Sequence, residues 1–163
     1  MRAVRLWQLW INDEHREGGG LAFDLRHVLR ALGTEPLSWQ WTVSGVGGYQ
    51  GALSYGTRKE LFYDEGVMAT GVGGAELDAV ASAGRKVPGS RLLEIAGRTD
   101  QVIWGEFAGF RQDGDDLPWI RVIAVDSSWF EVLCEDRTLL ERVASAFSDT
   151  TLSSPPIPPP PQP

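Results

Sequence analysis

Cysteine is nearly absent. Cys134 is the single one in 163 residues, so no disulfide can form within the chain. That composition suits a reducing compartment, and cytoplasm is the location to expect. Histidine is almost as scarce: there are 2, His15 and His27. Neither has a cysteine or a second histidine at ligand spacing, so no zinc site is expected, nor any other metal or cofactor. There is no run of about 18 apolar residues, hence no expected membrane span. Residues 12–17 (NDEHRE) interrupt the start of the chain before an apolar stretch can form, so no secretory signal is expected either.

Positive charge is also short. Lys and Arg total 15 against 22 Asp and Glu, a net charge of −7, with a pI near 4.8. Nucleic-acid backbones are bound by clustered Lys and Arg, so no nucleic-acid partner is expected. An acidic surface keeps a protein soluble and can steer it towards basic partners. The glycine-rich segments do not complete a phosphate loop. Gly45, Gly47, Gly48 and Gly51 miss the dinucleotide spacing, and Gly71, Gly73 and Gly74 are not followed by Lys-Ser or Lys-Thr. Both read as turns, although Gly73 and Gly74 opening a helix would offer backbone N–H groups to an anion.

What is abundant is aromatic and β-branched. The 7 tryptophans sit largely in strand-like runs. Residues 101–110 (QVIWGEFAGF), 119–125 (WIRVIAV) and 129–134 (WFEVLC) are separated by a polar loop and a tight Asp126-Ser127-Ser128 turn, which predicts a three-stranded antiparallel meander. The middle run is apolar at both parities and reads as a central strand covered on both faces. An amphipathic helix follows, with Leu140, Val143, Ala144 and Phe147 at helical spacing and Asp136 or Thr138 as its cap. Earlier, residues 3–11 form a strand candidate. Leu21, Leu25, Val28, Leu29 and Leu32 form the stripe of a helix ended by Gly33. Residues 37–46 alternate, placing Trp39 and Trp41 on a packed face. Short strands are expected at 51–55 and 60–63, and short helices at 76–83 and 91–98, the second capped by Ser90. The fold class to expect is therefore α+β: a mainly antiparallel sheet with a C-terminal meander, packed by an N-terminal and a C-terminal amphipathic helix. One domain spans residues 1–150. The proline-rich segment 151–163 is expected to be disordered, with PxxP spacings that a groove-bearing partner could accept.

The catalytic inventory is thin. Cys134 closes an apolar run with no base beside it and reads as a buried small hydrophobe. His27 lies one step from the apolar stripe and reads as a boundary residue. Only acids are numerous enough to build a site. Asp113, Asp115 and Asp116 share a hairpin loop without the spacing of a calcium loop; they and Asp126 are first of all turn formers. Glu106 and Glu131 each interrupt an apolar run, opposite in parity to Phe107 and to Phe130 and Val132. They are expected to face solvent or to pair with a basic ligand, and a carboxylate pair can do acid–base work. Trp129, between Asp126 and Glu131, is the best candidate anchor, since tryptophan is enriched at interface centres.

The segments 100–110, 120–132 and 139–143 resemble those of small uncharacterised bacterial α+β proteins. The overall style, one acidic, Trp-rich domain without a catalytic set, is similar to immunity proteins of bacterial toxin systems. The resemblance assigns no residue a role; it implies a protein that neutralises a partner. The expectation is thus a protein-binding module that meets a basic protein through Trp129, Glu131, Asp126, Glu106, Asp113, Asp115 and Asp116, with self-association also compatible. The alternative is a small enzyme or ligand-binding domain using carboxylates on the sheet.

Overall fold

The computed structural model describes residues 5–13, 21–45, 67–112 and 114–154. His15, Asp113, the short strands expected at 51–55 and 60–63, and the proline-rich segment from residue 155 on lie outside these. The described fold is α+β, with four α-helices and a mainly antiparallel eight-stranded sheet.

In chain order the strands are β1 (Trp7–Ile11), β2 (Gln40–Ser44), β3 (Met68–Thr70), β4 (Val87–Pro88), β5 (Gln101–Phe110), β6 (Ile120–Val125), β7 (Trp129–Cys134) and β8 (Thr150–Ser153). The helices are α1 (Leu25–Ala31), α2 (Val72–Ala83), α3 (Gly89–Gly97) and α4 (Arg137–Ala144), with a 3-10 turn at Glu35–Ser38. Across the sheet the order is β4-β2-β5-β6-β7-β1-β8, and β3 pairs with the first part of β5. The middle strands β5, β6 and β7 are consecutive in sequence and joined by hairpins, while β1 and β8 come from the two ends of the chain.

All four helices contribute to one core. Leu25, Val28, Leu29, Leu77, Leu92, Ile95, Leu140 and Val143 meet Leu9, Ile11, Trp41, Phe107, Val122, Phe130 and Val132 from the sheet. A second cluster, Ile123, Val125 and Leu133 with Leu6, Trp104 and Trp129, lies on the other parity of the same strands, and no described helix residue belongs to it. Successive side chains of a strand point to opposite faces, so the sheet has a helix-covered first face and a separate second face. The tryptophans divide accordingly. Trp39 and Trp41 are buried in the large core with Trp7 and Trp119 at its margin, and Trp104 and Trp129 belong to the small cluster.

Several boundaries differ from the periodicity for local chemical reasons. The helix expected over 21–32 starts at Leu25, because Asp24 is extended and exchanges bonds with His27: the Asp24 N–H donates to His27 Nδ1 at 2.8 Å. The strand expected over 37–46 gives up its first residues to the 3-10 turn, whose Pro36 carbonyl accepts the Trp41 indole N–H at 3.0 Å. Gly73 and Gly74 are helix, not turn. A Cβ on Gly73 would meet the Ile95 carbonyl at 2.3 Å, and one on Gly74 the Ala69 carbonyl at 2.5 Å, so these glycines let α2 lie close against α3 and β3. Nor are their N–H groups open to an anion: Gly73 donates to the Arg98 carbonyl at 2.8 Å and Gly74 to the Gly71 carbonyl at 3.1 Å. Pro88, not Ser90, precedes α3 as its cap residue. Asp136, rather than Thr138, caps α4, its Oδ1 accepting the Leu139 N–H at 3.2 Å. Residues 151–153 belong to β8, beside β1.

Candidate functional site

The second face carries the chemistry. Register places Ser44, Glu106, Ile123, Glu131 and Trp10 on one rung, running from β2 through β5, β6 and β7 to β1. The next rung on that face holds Thr42, Ala108, Arg121, Leu133 and Gln8. Long side chains reach diagonal neighbours across strands, and two polar pairs form in this way. Arg121 donates to Glu106 Oε2 from Nε at 3.2 Å and from Nη2 at 2.7 Å. Gln8 Nε2 donates to Glu131 Oε1 at 2.5 Å. Gln8, Glu106, Arg121 and Glu131 are all buried.

Neither Glu106 nor Glu131 faces solvent, which corrects the expectation drawn from their parity. Parity did put them opposite Phe107, Phe130 and Val132, but on a face that is itself buried. The cost of removing a carboxylate from water is met by donors: a guanidinium for Glu106, an amide and an indole for Glu131. The two carboxylates stand two strand spacings apart, about 10 Å between backbones, with Ile123 between them. Each is engaged within the sheet, so the arrangement is one of structural polar pairs.

Trp129 is where this interior reaches the surface. Its indole Nε1 donates to Glu131 Oε2 at 3.0 Å, and its ring stacks on Trp10 with centroids 5.3 Å apart and planes 19° apart. Both rings are half-buried. Next to Trp129 is the β6–β7 turn, in which Asp126 and Ser127 have φ of 50° and 56° and Ser128 N–H donates to the Val125 carbonyl at 2.8 Å. Two central residues at positive φ make the kind of turn that matches hairpin twist. The Asp126 side of that turn is exposed. Glu131 thus fixes the Trp129 indole from behind, Trp10 fixes it from the side, and Asp126 supplies charge beside it.

The remaining acids are elsewhere. Asp115 and Asp116 lie in the β5–β6 loop, at the opposite end of β6. Six residues of strand separate the two ends by about 20 Å. Asp115 is a turn former: its Oδ2 accepts the Gln112 N–H at 3.1 Å. The six described candidates therefore do not converge: Trp129 and Asp126 lie at the β6–β7 end with Glu131 bonded to Trp129, Glu106 stands two strands from Glu131 on the same rung, and Asp115 and Asp116 are at the far end of β6. Gln8, Trp10 and Arg121 belong to the second-face constellation and were missed by sequence reasoning. Arg121 had a legible signal, a basic residue at the parity of Ile123 inside an apolar run, facing a neighbouring run with an equally isolated Glu106.

The other titratable groups have structural roles. Burial raises the Asp24 carboxyl above its ordinary value, while Oδ1 accepts the Val102 N–H at 2.9 Å and ties α1 to β5. Burial, with Arg26 adding to it, lowers His27. Burial pushes the Cys134 thiol up to about 12, leaving almost no thiolate at neutral pH. Among the described residues, no group of three or more His, Cys, Asp or Glu is placed to hold a metal ion, and no helix is long and apolar enough to cross a membrane. No family model, no curated protein and no solved structure matches this chain.

Proposed function

We propose that this chain is a cytoplasmic protein-binding module of bacterial type, an immunity-like protein that neutralises a basic partner protein, and that the partner docks on the Trp10–Trp129 end of the sheet. The observation that carries this reading is the half-buried Trp129, stacked on Trp10, hydrogen-bonded to buried Glu131 and flanked by exposed Asp126. An aromatic ring held in place before binding loses little entropy on docking, and tryptophan is the side chain most enriched among interface anchors. Asp126 acts at the rim, where charge governs encounter rate and partner choice, and the net charge of −7 pulls in the same direction. Glu131 contributes by holding Trp129, not by touching the partner. The alternative of a small enzyme or ligand-binding domain built on Glu106 and Glu131 draws less support, because both carboxylates are buried and engaged by Arg121, Gln8 and Trp129.

The test is capture from a lysate of the source organism with wild type, Trp129→Ala and an Asp113/Asp115/Asp116→Ala variant, each first shown to be folded by circular dichroism. The captured partner is then purified and titrated calorimetrically. A basic, stoichiometric partner whose affinity falls about thirtyfold in Trp129→Ala supports the reading, that being the effect of an anchor worth about 2 kcal/mol. Unchanged affinity in Trp129→Ala, or no stoichiometric partner, overturns it.

A further inference from the structure

The start of α1 is held by Asp24 and His27. Asp24 has an extended backbone and is 3% exposed. Its Oδ1 accepts the Val102 N–H of β5 at 2.9 Å, and its own N–H donates to His27 Nδ1 at 2.8 Å. Phe23, one residue earlier, is buried against Phe130 and Phe147, with ring centroids 5.2 and 4.9 Å apart. The tie from α1 to β5 and the seat of Phe23 in the core therefore both adjoin one imidazole nitrogen.

That nitrogen has to be free of a proton. A neutral imidazole has one donor and one acceptor nitrogen, whereas an imidazolium has two donors. The bond from Asp24 therefore fixes His27 as the Nε2–H form. A proton on Nδ1 would set two donors face to face, and the Asp24 N–H would lose its acceptor inside the protein. It would also add a positive charge to the first turn of a helix, the end that disfavours one.

The surrounding charges act in the same direction. Among the described residues, the ionic groups that bear on His27 are Arg26 and Arg30 of its own helix. Burial first, and then Arg26, hold its protonation below the usual 6.5, against a weaker pull from the Asp24 backbone. Arg26 is kept in place by its bond to the Thr99 carbonyl at 3.0 Å. The two helices packed on α1 are α3 and α4, and their charges are committed elsewhere. Glu94 bonds to Arg91 and Arg98, Glu141 to Arg137, and Arg142 to the Leu32 carbonyl past the other end of α1.

We propose that His27 is an acid-sensitive latch: proton uptake at Nδ1 releases the Asp24 N–H, and the stretch from Phe23 through the first turn of α1 opens from β5 while the central strands stay folded. The open form takes a proton as an ordinary imidazole does, and the closed form resists it. Opening is therefore favoured progressively as pH falls below 6.5 and is not favoured above it. Asp24 works against the latch, because its carboxyl, raised by burial, turns neutral at lower pH and is then easier to keep buried. This device lies on the helix-covered face, apart from Trp129, so it stands or falls independently of the proposed docking end.

The experiment combines nitrogen NMR of the His27 ring with amide hydrogen exchange, read as protection factors so that the intrinsic pH dependence of exchange is removed. His27 is expected to be the Nε2–H form at about pH 7.5. Between there and about pH 5.5, protection of the Asp24 and Val102 amides is expected to fall about tenfold, the effect of one lost internal hydrogen bond, while Val122 and Val132 keep theirs. His27→Gln removes the titration and still offers an acceptor, so its protection should not change with pH. Asp24→Asn keeps an acceptor for Val102 and removes the opposing titration, so its response should persist. Circular dichroism establishes that both variants are folded, and the tautomer of the wild-type ring is informative without either. A proton on Nδ1 at neutral pH, no fall in protection, a fall shared equally by the central strands, or a response that survives in His27→Gln overturns the proposal.

Discussion

Arg121→Met is the substitution that the second face of the sheet should feel most. Methionine keeps much of the arginine stem but removes Nε and Nη2, which donate to Glu106 Oε2 at 3.2 and 2.7 Å. The two side chains are 4% and 0% exposed, so water does not replace the lost donors. Breaking one side of a buried ion pair costs about 3–5 kcal/mol, because a carboxylate is left in low dielectric. That is a large share of the stability of an ordinary domain. Equilibrium unfolding in urea, with unchanged slope and a lowered midpoint, reads the loss directly. One control separates pair energetics from lost packing. Glu106→Leu combined with Arg121→Met removes both charges, and it should be more stable than Arg121→Met alone. A loss below about 1 kcal/mol for Arg121→Met, or a double variant no more stable than the single one, would refute the assignment of this pair as a buried, mutually compensating unit.

Other expectations are narrower. Asp24→Ala should cost about 1–3 kcal/mol by leaving the buried Val102 N–H without its acceptor, whereas Asp24→Asn, which keeps an acceptor, should cost less; chemical denaturation compares them. Because burial holds the Asp24 carboxyl above 3.8, the native state keeps this proton to higher pH than the unfolded chain does. This group's burial cost is therefore present above the raised value and relieved as pH falls through it, a contribution that Asp24→Asn should abolish. His27 works in the opposite sense: its lowered value means that stability should decline as pH falls below 6.5, levelling only at the folded value, and His27→Gln should flatten that slope. Cys134 should resist aromatic disulfide reagents at pH 8 in the folded protein and react at once in urea, because burial holds its thiol at about 12. Ser127→Gly should stabilise the fold by about 0.5–1 kcal/mol by relieving a left-handed non-glycine residue, read as a raised melting temperature.

What could be seen in the sequence was set by local periodicity. The runs at 101–110, 119–125 and 129–134 correspond within a residue to β5, β6 and β7, because β-branched and aromatic residues crowd them and turn residues separate them. Asp136 was among the cap candidates for α4 for the same local reason. The start of α2 was not legible, since its glycines are chosen for close approach to Ile95 and Ala69, residues distant in sequence. The start of α1 depended on an Asp24–His27 exchange hidden behind the hydrophobic stripe. Strand order decided the site. Parity set Glu106 apart from Phe107, and Glu131 apart from Phe130 and Val132; only register puts the two on one rung with Arg121 and Gln8 diagonal to them, where both carboxylates are buried. The acids of the β5–β6 loop and of the β6–β7 turn looked like neighbours because they share a chain segment, yet an antiparallel strand carries them to opposite ends.

The measurement that bears most directly on the proposed role is the affinity of the captured basic partner for wild type and for Trp129→Ala, taken side by side with both proteins shown to be folded. The docking reading expects a drop of about thirtyfold, carried mainly by faster dissociation. Equal affinities would mean that the Trp10–Trp129 stack is only part of the sheet's packing, and would contradict the account.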